Sequence, residues 1–186
     1  MVLRPSLLGL IAATCVIATQ APWLDVPFVQ QEKAGCGAAA VAMVVGYWAR
    51  EYPALAEAAS DSERINDFLP ASARGIRGRE LKRYMEERGF DVFVFDGDIS
   101  DLRQHSGKGR PVVVCLGPRG AKGPLHYAVV VGVEDGAVWL NDSARGKLFR
   151  ADLGRFETEW KATGHWAMLA VPRQPPPQAP HPAQAL

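Results

Sequence analysis

The 186-residue chain is poor in the residues that build metal centres and covalent frameworks. Its three Cys, Cys15, Cys36 and Cys115, follow no metal or disulfide spacing, and its four His include no pair at ligand spacing. No metal site, no cofactor and no disulfide framework are expected. Neither sign of charge is in excess: 21 Lys and Arg face 20 Asp and Glu, for a net +1. Nucleic acid and anionic membrane surfaces therefore find no electrostatic footprint here. The stretch Gly117 to Gly123 has glycines and a Lys but not the Gly-Lys-Ser/Thr of a phosphate loop, which sets nucleotide binding aside. There are no internal repeats. The apolar run Leu7 to Ala18 is too short for a comfortable membrane span.

That run instead has the flanks of a targeting segment. Arg4 precedes it and small residues follow, so Met1 to Ala21 reads as a secretory signal peptide cleaved after Ala18 or Ala21, or as an N-terminal anchor if it is retained. Ala12-Ala13-Thr14-Cys15 loosely resembles a lipid-attachment box, with Thr14 departing from the pattern. An exported protein is expected, periplasmic or extracellular, whose only membrane attachment is through this segment. At the other end, residues 173–186 are rich in Pro and Gln and cannot pack a core, so they read as a disordered tail. Residues 22–172 remain, enough for one domain with a real core.

Within that domain the helical signals come first. Gly37 to Trp48 is Ala, Val and Met on every side, the mark of a buried helix, with Cys36 as its cap. Pro53 to Asn66 reads as a helix ended by Pro70. Arg79 to Arg88 puts Leu81, Tyr84 and Met85 on one side and stops at Gly89. Asp91 to Phe95 alternates as a strand and Ile99 to His105 reads as a short helix. From Pro111 onward the texture is that of strands: Val112 to Leu116, Tyr127 to Val133, Ala137 to Leu140, Lys147 to Arg150 and Trp166 to Val171. Helices followed by an antiparallel sheet make the class α+β.

The chemistry concentrates around Cys36. A thiol at a helix start meets free backbone N–H groups and the positive end of the helix dipole, both of which favour the thiolate. Gly35 and Gly37 leave the sulfur uncovered, and Gln30, six residues upstream, is placed to offer its amide N–H to an oxyanion formed beside it. A lone Cys among small residues is more often plain core, so the reading depends on a base. His181 lies in the tail, His105 in a charged surface stretch, and His165 at the start of the last strand. His126 stands at the head of HYAVVVGV, at the mouth of a buried strand, after the loop GPRGAKGPL.

A third group must orient that base. The strand from His126 turns at Glu134-Asp135-Gly136 and returns to end in Asn141-Asp142. A two-residue turn at Asp135-Gly136 sets Asp142 opposite Val129, on the face away from His126. A three-residue loop with Gly136 left-handed, or an equivalent bulge, sets Asp142 opposite Ala128, on the His126 face. Asp142 is then the diagonal neighbour of His126, roughly 7 to 8 Å away between backbones and within side-chain reach. The loop or bulge is the expectation. Cys115, inside PVVVCLG, reads as an inert buried strand residue.

Taken together, these residues resemble a known family. Gln30, five residues, then Cys36-Gly37 and an Ala- and Met-containing helix, later His126-Tyr127 heading a Val-rich strand, and Asp142 sixteen residues on, are similar to the papain-like peptidase domain of bacteriocin-exporting ABC transporters, the double-glycine leader peptidases. The likeness extends into RGRELKRYMEERGF and FETEWKATGHWAMLAVP and covers roughly Val26 to Pro172. It implies a papain-like fold and a cysteine endopeptidase acting on peptide substrates, cutting after Gly-Gly if specificity follows. It also implies Cys36 as nucleophile, His126 as general base and acid, Asp142 as orienting group and Gln30 as oxyanion donor. Ser143 stands where the family usually has Pro, and no transporter or ATPase part follows, so a stand-alone exported relative is expected. Two other functions fit the same scaffold: a thiol acyltransferase or amide hydrolase, and a non-catalytic peptide-binding module.

Overall fold

A computed structural model describes residues 23–32, 35–62, 75–118 and 123–173. The signal segment, Cys15, Asn66 to Pro70 with the end of the helix expected there, most of the loop 117–123, and the tail with His181 lie outside the described residues. Helix α1 (Cys36–Ala49) is buried at every position from Cys36 to Val45 and again at Trp48, as its all-round apolar sequence requires. Its first hydrogen bond runs from Ala39 N–H to the Gly35 carbonyl, 2.9 Å. Gly35 is therefore the cap, and Cys36 is the first residue inside the helix rather than the cap itself. A 3₁₀ turn (Pro53–Leu55) and α2 (Ala56–Ser62) follow. Helix α3 (Gly78–Glu87) buries Leu81, Tyr84 and Met85 and stops before Gly89.

Six strands form one antiparallel sheet: β1 (Phe90–Asp96), β2 (Val112–Leu116), β3 (His126–Glu134), β4 (Ala137–Asp142), β5 (Gly146–Asp152) and β6 (Trp166–Pro172), in the spatial order β1-β6-β2-β3-β4-β5. Helix α4 (Ile99–Gly107), capped reciprocally by Asp98 and Asp101, lies between β1 and β2 in the chain. Helix α5 (Leu153–Lys161) lies between β5 and β6. Because side chains alternate along each strand, the sheet feeds two cores. On one face Val113, Cys115, Tyr127, Val129, Val131 and Met168 pack with α1 and α3. On the other, Val114, Leu116, Ala128, Val130 and Leu140 pack with Leu102 of α4 and Phe156 and Trp160 of α5.

The class is α+β with a papain-like arrangement, as expected, but helices flank both faces of the sheet and β1 enters it ahead of the strand-rich half. Helix α5 was not expected. Its only large apolar residues after Leu153 are Phe156 and Trp160, one turn apart on a face otherwise charged, and a two-residue stripe is a weak periodic signal. The capping signal was present, since the Asp152 carboxylate accepts the Arg155 N–H at 3.0 Å.

Candidate active site

The β3–β4 hairpin decides whether His126 and Asp142 meet. The turn is the short one: Glu134 faces Ala137 across Asp135-Gly136, and Gly136 takes φ of 80°, a left-handed conformation that suits glycine. Uncorrected, that register would send Asp142 to the wrong face. The correction is a bulge. Gly132 pairs with Trp139 but Val130 pairs with Leu140, so Val131 is the extra residue and the register slips by one. The Val131 carbonyl accepts the Leu24 N–H at 2.7 Å. The three-residue loop is thus replaced by its equivalent, and Asp142 arrives on the His126 face.

His126 Nε2 lies 2.8 Å from Asp142 Oδ1. Asp142 is fully buried, and the same oxygen accepts the backbone N–H groups of Ala144 and Arg145 at 3.0 and 3.1 Å. With Nε2 taken by Asp142, the ring nitrogen left for the sulfur is Nδ1. Cys36 is 8% exposed and its side chain is hydrogen-bonded to His126.

The charges follow from this geometry. Burial disfavours a charged sulfur, but the His126 hydrogen bond, the backbone N–H groups of Tyr127 and Gly37 and the His126 charge outweigh it, so the thiol sits below its ordinary 9.0. Burial likewise disfavours an imidazolium, yet hydrogen bonds to Asp142 and Cys36 and the charges of both push His126 up from 6.5 to about 9. Asp142 is held below 3.8: burial opposes its charge, and the His126 hydrogen bond and charge, the Ala144 N–H and the Arg145 charge prevail. Lowered thiol and raised imidazole both favour a thiolate–imidazolium pair, and two groups this strongly coupled titrate as a unit.

The polar residues beside Asp142 tie the site together. Asn141 and Ser143 are as buried as Asp142, although an Asn-Asp-Ser run reads from sequence as a surface turn. Asn141 Nδ2 donates to the Val26 carbonyl at 3.0 Å while its Oδ1 accepts the Leu148 N–H at 3.1 Å. Ser143 Oγ donates to Gln31 Oε1 at 2.9 Å, and the Gln31 N–H donates to the Ser143 carbonyl at 3.3 Å. The end of β4 thus grips the segment leading to Cys36. Gln30, next to the gripped residue, is exposed. Lys33 and Ala34, between it and Gly35, lie outside the described residues.

The remaining candidates are engaged elsewhere. His165 Nε2 lies 2.7 Å from Glu157 Oε1, and its ring sits edge-on to Trp160. His105, on α4, is partly buried beside Phe95 rather than at the surface. Cys115 is 4% exposed, and burial first, then the Cys36 charge, push its thiol up to about 12, so it is inert. Among the described residues no group of three His, Cys, Asp or Glu is placed to hold a metal ion, and no helix is long and apolar enough to cross a membrane. A cavity of about 710 Å³ lined by Trp23, Tyr47, Arg103 and Lys108 opens near the far end of α1. Tyr47 lies eleven residues from Cys36, roughly 16 Å along the helix.

Three comparisons bear on this arrangement. The model of the Peptidase_C39 like family matches residues 23–168. The lactococcin-G-processing and transport ATP-binding protein LagD of Lactococcus lactis subsp. lactis is 24% identical over 131 residues, which are 70% of this chain and 17% of that protein. The chain thus spans less than a fifth of that relative. Among solved structures, a C39-like peptidase from Bacillus anthracis superposes with a TM-score of 0.65 at 18% identity, covering 81% of this chain and 96% of that one. The peptidase domain of Streptococcus ComA, a bifunctional ABC transporter of a quorum-sensing pathway, gives 0.62 at 20% identity, covering 82% and 99%. A double-glycine-motif protease from an AMS/PCAT transporter, in complex with its leader peptide, gives 0.58 at 18% identity, covering 82% and 96%.

Proposed function

The chain belongs to the Peptidase_C39 like family of cysteine peptidases, and from that premise we propose that it is an endopeptidase working through Cys36, His126 and Asp142. The Cys36 thiolate attacks the scissile carbonyl carbon, and electrons pass to the carbonyl oxygen. The Cys36 N–H, which lies in the first turn of α1 where N–H groups lack an intrahelical partner, and the Gln30 amide stabilise that oxyanion. The His126 imidazolium gives its proton to the leaving amine, the C–N bond breaks, and an acyl-enzyme remains. His126, now neutral, takes a proton from water, whose oxygen attacks the thioester and releases the acid. Asp142 stays ionised throughout and orients the ring.

The observation that carries this reading is geometric: Cys36 opens a buried helix, and His126 at a strand mouth is joined by a 2.8 Å bond to the buried Asp142 carboxylate, an arrangement that lowers the thiol and raises the imidazole. Kinship with double-glycine leader peptidases supports cleavage after a Gly-Gly pair as the finer specificity. The character of Met1 to Ala21 supports action outside the cytoplasm on exported peptides. The test is to incubate the protein, Cys36→Ala and His126→Ala with a diverse peptide mixture that includes Gly-Gly leader sequences, and to map new termini by mass spectrometry. Cuts made only by the intact protein are expected, enriched after Gly-Gly. Adducts carrying an added amine would point to acyl transfer instead, and identical peptide pools from all three proteins would sink the peptidase reading.

A further inference from the structure

The Asp142 carboxylate has two oxygens, and the three hydrogen bonds described above all go to one of them. Oδ2 is buried and accepts no hydrogen bond of good geometry among the described residues. What faces it is a charge, Arg145 Nε at 3.2 Å. The Arg145 backbone N–H bonds Oδ1, so a single residue addresses both oxygens. Arg145 is held in turn. Its Nη2 donates to Glu159 Oε2 at 3.1 Å, and its guanidinium lies 5.1 Å from the centre of the Phe149 ring. Glu159 is a buried residue of α5, anchored on its other oxygen by Arg155 Nε at 3.2 Å. Helix α5 is seated by the Gly117 N–H, which donates to the Glu159 carbonyl at 2.7 Å.

We infer that Arg145, braced by Glu159, is a positioning residue that fixes the Asp142 carboxylate against His126 and supplies its counter-charge. The inference rests on the Cys36–His126–Asp142 reading and extends it across the sheet to α5. The fork of arginine matters, since Nε serves one carboxylate while Nη2 serves another, which a lysine ammonium does less well. The groups facing this pair are few. They are His126 from β3 with Cys36 beyond it, Glu159 and Arg155 from α5, and Arg150 and Asp152 of β5 across a cavity of about 240 Å³ that Arg145 also lines. Arg150 is bonded to Glu134 at 2.9 Å. Arg145 is therefore the cation that faces the otherwise unbonded oxygen.

Removing that cation lets Asp142 take up a proton at higher pH. In mildly acid solution Asp142 is still ionised, and what the site loses is a nearby positive charge and the fixed carboxylate that orients the imidazolium, so the thiolate forms later as pH rises. An opposite charge can lower a carboxylate by about 1 to 3 units, but Arg145 is the smallest of the influences that hold Asp142 down, so its effect falls below that range. The experiment is the pH dependence of Cys36 alkylation by iodoacetamide in the full chain, which needs no substrate. Arg145→Met and Arg145→Gln are expected to move the half-maximal pH up by about half a unit, a roughly threefold slower reaction on the acid limb. Arg145→Lys, which keeps the charge, should restore most of it. Profiles of the neutral variants that superpose on the wild type, with only the melting temperature lowered, would overturn the inference and leave Arg145 as structural glue. Gln keeps a donor for Glu159 and the side-chain stem, so it reads the effect even if Met fails to fold. If the wild type itself lacks His126-dependent reactivity at low pH, the triad reading fails rather than this one.

Discussion

Replacing Asp142 by Asn keeps an oxygen that accepts the His126 Nε2–H and removes the negative charge behind it. His126 stands at about 9 rather than 6.5, against the effect of its own burial, and the hydrogen bond to Asp142 is the largest of the influences that raise it. Loss of the charge should return the imidazole by about 1 to 2 units, or roughly 1.4 to 2.7 kcal/mol of support for the imidazolium. The new amide N–H₂ would also face Arg145 Nε, donor against donor, where Oδ2 now lies 3.2 Å from that nitrogen. The thiol–imidazole pair then shifts toward its neutral form, and from this shift kcat/KM should fall by no more than about twofold at pH 7 but roughly 5- to 50-fold at pH 9, with KM little changed. The sign in pH is definite. The imidazolium exists below its pKa, so a lowered pKa loses it sooner as pH rises, and the basic limb of kcat/KM should move from about 9 to about 7 or 8. Initial rates on a cleaved peptide from pH 5 to about 10 measure this. A variant whose basic limb stays in place would refute the view that the Asp142 charge, rather than its hydrogen bond alone, sustains the pair.

Cys115→Ala should leave peptide cleavage within about twofold and cost about 1 kcal/mol of stability, because that thiol is buried and protonated; kinetics and a thermal melt together check it. Gly117→Ala should be far more harmful than its size suggests. A Cβ there would lie 2.5 Å from the Ala162 Cβ and 3.2 Å from the Glu159 carbonyl, so α5 must move, at a cost of about 1 to 3 kcal/mol; a melt that matches wild type would contradict the close approach. Ser143→Ala removes the 2.9 Å bond to Gln31 and should cost about 1 kcal/mol. Its activity loss should appear in kcat rather than KM if the grip on the Gln30 segment serves catalysis.

Much of this arrangement can be read from residues alone, for definite reasons. An all-round apolar run can only be a buried helix, which placed α1 and put Cys36 at its start. Strand parity demanded an irregularity between His126 and Asp142, and the bulge at Val131 supplies it. Parity could not say whether the irregularity sits in the turn or in the strand, because both shift the register by one residue. What escaped notice depends on contacts between distant segments. Asn141 and Ser143 look like turn residues, and only the segment from Val26 to Gln31 folding over them makes them core. The Arg145–Glu159 pair joins a turn to a helix whose apolar stripe is two residues wide. Charged residues on such a helix read as a solvated face until the neighbouring sheet buries one of them.

The most direct test of the central claim, that His126 holds Cys36 as a thiolate, is the rate of Cys36 alkylation against pH in the wild type and in His126→Ala, followed by intact mass. The wild type should become reactive at lower pH than an ordinary thiol, on a plateau that persists to about 9, where the imidazolium is lost. His126→Ala should instead rise only near the ordinary thiol value of 9.0. A wild-type curve that follows the variant, with no reactivity below neutrality, would mean that Cys36 is a plain buried thiol and that the proposed catalytic constellation does not operate.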